Sequence, residues 1–197
     1  MTGVFLPGQV VTLRGLAADL DVSPMPVRQA IKCLIVEGAL EMLPNRTVQV
    51  PPMTRDRLMD LLAVRRALEG MVTEQATRNI TTKQIVMLER MQAEATRVFR
   101  IGDVRPCLEE NRRFHFTLYE VARSPVLMPM IQTVWLQAGP FMRLAFSSSE
   151  LRWDGSHHDE LLDALKVRDP VAARRAIESD VNRTAETLVM TPCFTPA

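Results

Sequence analysis

Residues 20–30 of this chain read LDVSPMPVRQA, and this stretch decides the fold. Ser23 is a favourable N-cap residue, and Pro24 follows at the first helical position, where its missing N–H costs a helix least. Apolar residues then recur at helical spacing and give an inward face formed by Val27, Ala30, Ile31 and Leu34. The pattern predicts a helix that runs to about Val36 and is closed by Gly38.

Shorter patterns flank this helix on both sides. Residues 16–20 have helical spacing, and residues 21–23 break the chain tightly. Two β-prone runs follow the helix, at 40–43 and 47–50, separated by a Pro-Asn-Arg turn. This order, in which two helices joined by a turn are followed by a two-stranded wing, is typical of a DNA-binding winged helix-turn-helix module. We therefore assign residues 1–50 to such a module.

The remainder of the chain has only helical patterns. Two prolines open residues 51–53, which we interpret as a linker. Helices are predicted at about 54–78, 82–100, 103–123, 125–146 (with Gly139-Pro140 as a potential break), 154–168 and 170–189. Their short connections favour an antiparallel bundle. The predicted fold is thus mainly α, with an all-helical domain over 54–190 and a tail at 191–197.

The composition excludes several classes of protein. Apolar residues make up 47% and charged residues 24% of the chain, which is ordinary for a globular protein. Cys33, Cys107 and Cys193 have neither disulfide-framework nor metal-type spacing. The chain has no signal-peptide pattern and no apolar run long enough to cross a bilayer. We expect a cytoplasmic protein with no membrane partner, and the net charge of +1 means that any DNA contact comes from a local patch.

Polar residues interrupt the apolar faces of four predicted helices. Asn111 and His115 lie four residues apart on the apolar stripe of the helix at 103–123. His158, Asp180 and Arg65 interrupt the stripes of three other helices. An unsatisfied buried polar group costs about 1–3 kcal/mol. A single histidine here would be a hydrogen-bonded core residue, but the whole set predicts one polar cavity inside the bundle.

Two imidazoles, a carboxylate and a carboxamide suit a divalent cation, with zinc first and nickel or manganese as alternatives. The positively charged, planar guanidinium of Arg65 would bind the carboxylate of a ligand held at the metal. Alternatively, Arg65 could pair with Glu69, which lies one helical turn away. Arg143 is a second candidate for binding an anion, or else a surface residue. The same pocket without a metal could bind an organic ligand directly. His157 points away from His158 around the helix.

Several stretches resemble one family of bacterial regulators. Residues 20–30 resemble the recognition-helix signature of GntR-family regulators. Residues 64–69, 112–115 and 158–165 resemble the FCD-type C-terminal effector domain of the family's FadR-like branch. The resemblance implies a homodimer that binds a pseudo-palindromic operator and responds to a small organic acid, such as a sugar acid.

The resemblance also implies a set of metal ligands. In this branch an aspartate or asparagine, a histidine four residues later and two further histidines bind the metal. Asn111, His115 and His158 fall on the first three of these positions, and Asp180 stands where the fourth is usually histidine. Aspartate can still bind zinc or manganese, or the metal could be lost and the pocket retained.

The sequence departs from the family pattern in the DNA-binding module. The module normally begins with a further helix before Pro7 and Gly8, so we expect a module that lacks this helix, unless the natural chain starts further upstream. Pro24 and Met25 replace the usual arginine and threonine. The remaining candidate DNA contacts are Arg14, Ser23, Arg28, Lys32 and Arg46. Acidic residues in 1–50, which are Asp19, Asp21, Glu37 and Glu41, balance the four basic ones, so few phosphates can be neutralised per subunit.

The expected function is a ligand-responsive transcriptional regulator that is not an enzyme, with repression favoured. One alternative is a degenerate regulator that binds ligand but little DNA. Another is a metal-dependent hydrolase in which His115, His158 and Asp180 hold a metal that activates water.

Overall fold

A computed structural model of the chain describes residues 3–148 and 155–189. The predicted tail at 191–197, with Cys193, lies outside these residues, as does position 154, where one helix was expected to begin. The elements are β1 Val10–Val11, α1 Leu13–Asp19, α2 Pro24–Val36, β2 Glu41–Met42, β3 Val48–Gln49, α3 Arg55–Asn79, α4 Thr82–Ile101, α5 Val104–Glu120, α6 Leu127–Ser147, α7 Ser156–Lys166 and α8 Pro170–Val189. The predicted combination of a winged helix-turn-helix and a helical bundle is confirmed.

The N-terminal module has a small core of its own. Thr12 caps α1 by accepting a hydrogen bond from the backbone N–H of Gly15. The buried core of the module consists of Val11, Ala17, Val27, Ile31, Leu40 and Val50. Ala30 is exposed rather than inward, because the buried stripe of α2 passes through Val27 and Ile31 and leaves Ala30 on its flank.

The wing is a three-stranded antiparallel sheet with the order β1-β3-β2. The two predicted strands are present but are only two residues long. The third strand, β1, pairs Val10 with Gln49 and Val11 with Val48, and its two residues carry no periodic signal in the sequence. Arg46 adopts a left-handed conformation (φ 65°) in the turn between β2 and β3.

The helical domain is built around α3 and α8, which pack against each other along much of their length. α7 packs on α8, α4 on α5, and α6 against α3 and α5. α6 runs unbroken past Pro140. The largest buried side chains include Trp135, Tyr119 and Phe114, so the aromatic residues lie in the middle of this bundle.

Two residues of the helical domain hold the C-terminal end of α2, and we call them the interdomain clamp. The Gln137 side chain donates to the backbone carbonyl of Glu37 (2.8 Å). The Arg57 guanidinium donates to the carbonyl of Gly38 (3.0 Å) and to the side-chain oxygen of Gln137 (2.9 Å). A cation at the carbonyl end of a helix interacts favourably with the helix dipole. The clamp therefore attaches α2 to α3 and α6.

Arg143 lies at the domain interface and not beside the polar residues of the bundle. Its Nη1 atom donates to the backbone carbonyls of Gly3 (2.9 Å) and Val4 (2.6 Å). The sequence identified its helix correctly but gave no information on where the N-terminal segment docks. Among the described helices, none has the length and apolarity that a membrane span requires.

Candidate metal centre

Three side chains from three helices converge inside the bundle. His115 of α5 and His158 of α7 are fully buried, and the side chain of Asp180 of α8 is 13% exposed. The Nε2 atoms of the two histidines lie 3.3 Å apart. The Asp180 carboxylate approaches Nε2 of His115 at 3.2 Å and Nε2 of His158 at 3.6 Å. This group is the only histidine, cysteine and carboxylate cluster of metal-binding type in the described part of the chain.

A tyrosine fixes the tautomer of His115. The Tyr119 hydroxyl donates its single proton to Glu69 at 2.5 Å. It lies 3.1 Å from Nδ1 of His115, so its oxygen accepts a hydrogen bond from Nδ1–H. Burial, followed by the charge of Glu69, raises the pKa of Tyr119 well above its usual value, which keeps this proton in place. In neutral His115, the Nε2 lone pair consequently faces Asp180 and His158.

An amide fixes the tautomer of His158 in the same way. The Gln92 side-chain nitrogen donates to the backbone carbonyl of Gly155 (3.2 Å), which orients its amide oxygen towards Nδ1 of His158 at 2.6 Å. An amide oxygen only accepts, so Nδ1 carries the proton and Nε2 carries the lone pair. Burial lowers the pKa of His158 to about 4, so this ring is neutral at pH 7.

The three groups thus present electron pairs towards one another. Burial alone would raise the pKa of Asp180, but the positive charges that His158 and His115 carry when they are protonated, together with the charge of Arg65, hold it well below its usual range, so the carboxylate is ionised at neutral pH. Electron pairs at this separation repel each other unless a proton or a metal ion lies between them. Two donors about 2.0–2.1 Å from a tetrahedral zinc ion are separated by about 3.3–3.4 Å. The observed 3.2–3.6 Å spacings fit such a group.

Arg65 lies beside this cluster and is engaged by Glu69. Its Nε and Nη2 atoms donate to the Glu69 carboxylate at 2.6 and 3.4 Å, and its guanidinium lies 4.8 Å from the centre of the Trp135 ring. Burial works against the charge, but Glu69 outweighs it and the pKa of Arg65 is raised. Its Nη1 group has no hydrogen-bond partner among the described residues and remains available to an anion.

A narrow cavity adjoins Arg65 where α3, α6 and α8 meet. Its volume is about 20 Å³, which is room for about one water molecule. The lining is mostly apolar and includes Leu58 of α3, Ala138 and Phe141 of α6 and Val181 of α8. Val181 follows Asp180 directly, so the cavity and the cluster are neighbours.

The other sequence candidates have different surroundings. Asn111 lies on the buried face of α5, one turn before His115, and lines a small cavity with Cys107 and Phe146. His157 is partly exposed and pairs with Glu160 at 3.6 Å. The structure thus brings together His115, His158, Asp180 and Arg65, and puts Asn111 one helical turn away.

Sequence reasoning missed the residues that orient the two histidines. Tyr119 lies four residues after His115 on the same buried face, and Gln92 interrupts the buried face of α4 beside Leu88 and Ala95. The rule that identified Asn111 and Asp180 could therefore have identified Gln92. Tyr119 carried no such signal, because a tyrosine on an apolar face is ordinary packing.

The five candidate DNA contacts are all on the surface of the winged module: Arg14, Ser23, Arg28, Lys32 and Arg46. Ser23 is the N-cap of α2, but its side chain makes no capping hydrogen bond. Gln29, which sequence reasoning did not select, is also exposed, next to Arg28 on the same helix.

Comparison with known proteins assigns both domains. The family of bacterial regulatory proteins called the gntR family matches residues 1–50, and the FCD domain family matches residues 60–183. The HTH-type transcriptional regulator McbR of Escherichia coli K12 is 28% identical over 89% of this chain and 80% of its own length. The Exu regulon transcriptional regulator of the same bacterium is 26% identical over 92% of this chain and 77% of its own length.

Solved structures agree with this assignment. The structure of E. coli McbR superposes with a TM-score of 0.88 at 26% identity, covering 95% of this chain and 90% of that one. A regulator from Rhodococcus shares the fold with a TM-score of 0.75 at 21% identity, over 96% of this chain and 92% of that one. These relatives are transcriptional regulators and not hydrolases. The chain belongs to the GntR family of bacterial transcriptional regulators and carries the FCD domain.

Proposed function

We propose that this regulator binds a pseudo-palindromic operator as a homodimer, and that a small organic acid bound at a divalent metal controls its hold on DNA. His115, His158 and Asp180 would hold the metal, with zinc favoured and nickel or manganese as alternatives. When bound, the metal supplies a Lewis-acidic position for a ligand carboxylate. The observation that carries this proposal is the convergence of three electron-pair donors, of which the two histidines are oriented from behind by Tyr119 and Gln92.

Arg65 supports an anionic ligand. Its charge acts on Asp180 of the cluster, and an arginine beside a metal can share a carboxylate with it. Asn111 is the fourth candidate ligand, and its position one turn from His115 leaves it within the same buried face. The repressor named for D-xylose utilization in Paenarthrobacter nicotinovorans, 25% identical over 84% of this chain, favours repression as the direction of control.

A symmetric face of α3 supports the homodimer. Met59, Ala63, Ala67 and Met71 repeat every four residues along its exposed side, and the two methionines are 48% and 49% exposed. This order is symmetric about residue 65, so in an antiparallel pair Met59 of one copy faces Met71 of the other. Such self-complementarity is what a twofold interface requires, and the central alanines allow the helices to approach closely.

The test combines metal analysis with ligand screening on the full chain. We expect about one zinc per chain after purification in the presence of zinc, and thermal stabilisation by some members of a panel of organic acids that chelator abolishes. His158→Gln should lose the metal, whereas His157→Gln on the same helix should retain it. Equal metal content in the two variants would overturn the metal centre. Acid stabilisation that survives chelation would indicate that the pocket binds its ligand without metal.

A further inference from the structure

Four exposed side chains, one apolar and three polar, share one face of α2 over residues 25–32. Successive residues of a helix turn by about 100°, so Met25, Arg28, Gln29 and Lys32 share one face. All four are exposed, and they lie opposite Val27 and Ile31, which are buried in the core of the module. Met25 lies in the first turn of the helix and is 74% exposed.

The N-terminal end of a recognition helix is the part that meets base edges in the major groove. Here that end offers few polar groups. Pro24 and Pro26 have no N–H, and the first turn therefore has fewer donors for a phosphate than an ordinary helix. Leu20 and Val22, in the turn just before α2, are also exposed, at 63% and 45%. Apart from Ser23, the exposed side chains at the leading end of the helix are thus apolar, and Arg28 and Lys32 follow behind them.

The four base pairs offer only one apolar group in the major groove, which is the C5 methyl of thymine. Every other edge there displays donors or acceptors that an apolar side chain would desolvate without replacing. A flexible, unbranched methionine can adapt its shape to such a methyl group. We propose that Met25 contacts the C5 methyl of a thymine in each half-site, and so selects thymine at that position.

The remaining members of the face fit the neighbouring positions. Arginine pairs with guanine and glutamine with adenine through two hydrogen bonds each. Arg28 and Gln29 lie about one turn further along than Met25, and Lys32 is one turn beyond Arg28, suited to a phosphate. This inference rests on the proposed operator binding, and it adds a base preference that charge alone could not supply in a module with balanced charges.

The test uses the full-length protein and DNA duplexes enriched from a random library. In the enriched duplex, each thymine is replaced in turn by deoxyuridine, which removes only the methyl group and keeps the base pair. We expect one thymine per half-site at which this exchange weakens binding by about fourfold, the value of one buried methyl-sized group. Met25→Ala should abolish this difference, and Met25→Leu should keep it.

The matched control is Val36→Ala, which shortens an 88% exposed apolar side chain at the far end of the same helix. It should leave the discrimination between thymine and deoxyuridine unchanged. If Met25→Ala retains the discrimination, or if no thymine is sensitive to loss of its methyl, the inference is wrong although DNA binding stands. If the wild-type protein instead prefers adenine or cytosine at the base position that Met25 contacts, the thioether sulfur acts as a hydrogen-bond acceptor there. That result would also overturn the proposed contact with the thymine methyl. Failure of the library to yield any enriched duplex would overturn the proposed operator binding itself.

Discussion

The Nε2 atoms of His115 and His158 lie 3.3 Å apart, and each ring is held by its other nitrogen. His115 is oriented by the Tyr119 hydroxyl, and His158 by the Gln92 amide. A hydrogen-bond partner on the far nitrogen of the ring sets both the tautomer and the direction of a histidine ligand. The protein therefore directs two lone pairs at one point, as the proposed metal centre requires.

Replacement of Tyr119 by phenylalanine should weaken metal binding while leaving the bundle folded. The ring still fills its place, but Nδ1 of His115 loses the acceptor that fixes its proton. Loss of such a partner typically lowers metal affinity by about 10–100-fold. Competition with a chromogenic zinc chelator measures the change. Thr117→Val, which removes a half-buried hydroxyl from the same helix, is the control, and equal affinities for the two variants would contradict the assigned tautomer.

Removal of the Arg65 charge should destabilise the fold strongly. The side chains of Arg65 and Glu69 are 7% and 1% exposed, and an unpaired buried charge costs about 3–5 kcal/mol. We expect Arg65→Met to lower the free energy of unfolding by that order, measured by urea denaturation in chelator. The double variant with Glu69→Gln should recover much of the loss.

The control for this experiment lies in the same helix. Arg78 and Glu74 form an ion pair with the same four-residue spacing, but Arg78 is 59% exposed. Exposed pairs of this type contribute about 0.3–0.5 kcal/mol, so Arg78→Met should have little effect. Similar losses for Arg65→Met and Arg78→Met would mean that the buried pair is not maintained in solution.

Removal of Gln137 should loosen the winged module without unfolding the bundle. Gln137→Ala deletes one hydrogen bond to α2 and leaves Arg57 without its second acceptor. Hydrogen exchange of the backbone amides at the C-terminal end of α2 should become faster, whereas the amides of α8 should be unaffected. Gln132→Ala, at an exposed position of the same helix, should change neither. Unaltered exchange in α2 would show that the clamp does not restrain the module.

A charge in the middle of the α3 stripe should separate the dimer. Ala67→Glu places two like charges close to the twofold axis of the proposed pair, with a desolvation cost for each. Sedimentation velocity should then give a monomer at concentrations where the wild type is a dimer. Ala93→Glu, at an exposed position of α4, provides the comparison. A dimer that survives Ala67→Glu must use another face.

The sequence predicted the fold well because the signals were local. The N-cap and proline at residues 23 and 24 and the helical periodicity that follows fix the start of α2, and the structure begins it at Pro24. The pattern also identified His115, His158 and Asp180 as inward residues. Periodicity gives the face of a helix, however, and not its neighbour across the bundle. Tyr119 was missed because a tyrosine on an apolar face is ordinary packing. Gln92 interrupts an apolar face as Asn111 does, but only the packing of α4 against α7 brings it to His158.

Arg143 illustrates the same limit at the scale of domains. Its helix, α6, runs past both the bundle interior and the N-terminal segment, and only tertiary docking decides which of them a given residue contacts. The two-residue strand β1 was likewise invisible, because its structure depends on pairing with β3 and not on its own sequence.

The interdomain clamp and the small cavity share two helices, α3 and α6, which gives the proposed ligand a route to the winged module. Leu58 lines the cavity and Arg57 beside it holds α2, while Ala138 lines the cavity and Gln137 beside it holds α2. Protein interiors are close-packed and transmit displacement. If the proposed ligand enters this cavity, a body larger than one water molecule has to spread α3 from α6, and we expect the same movement to lengthen the distance between Arg57 and Gln137. We therefore expect the attachment of α2 to the helical domain to depend on the size of whatever occupies the cavity.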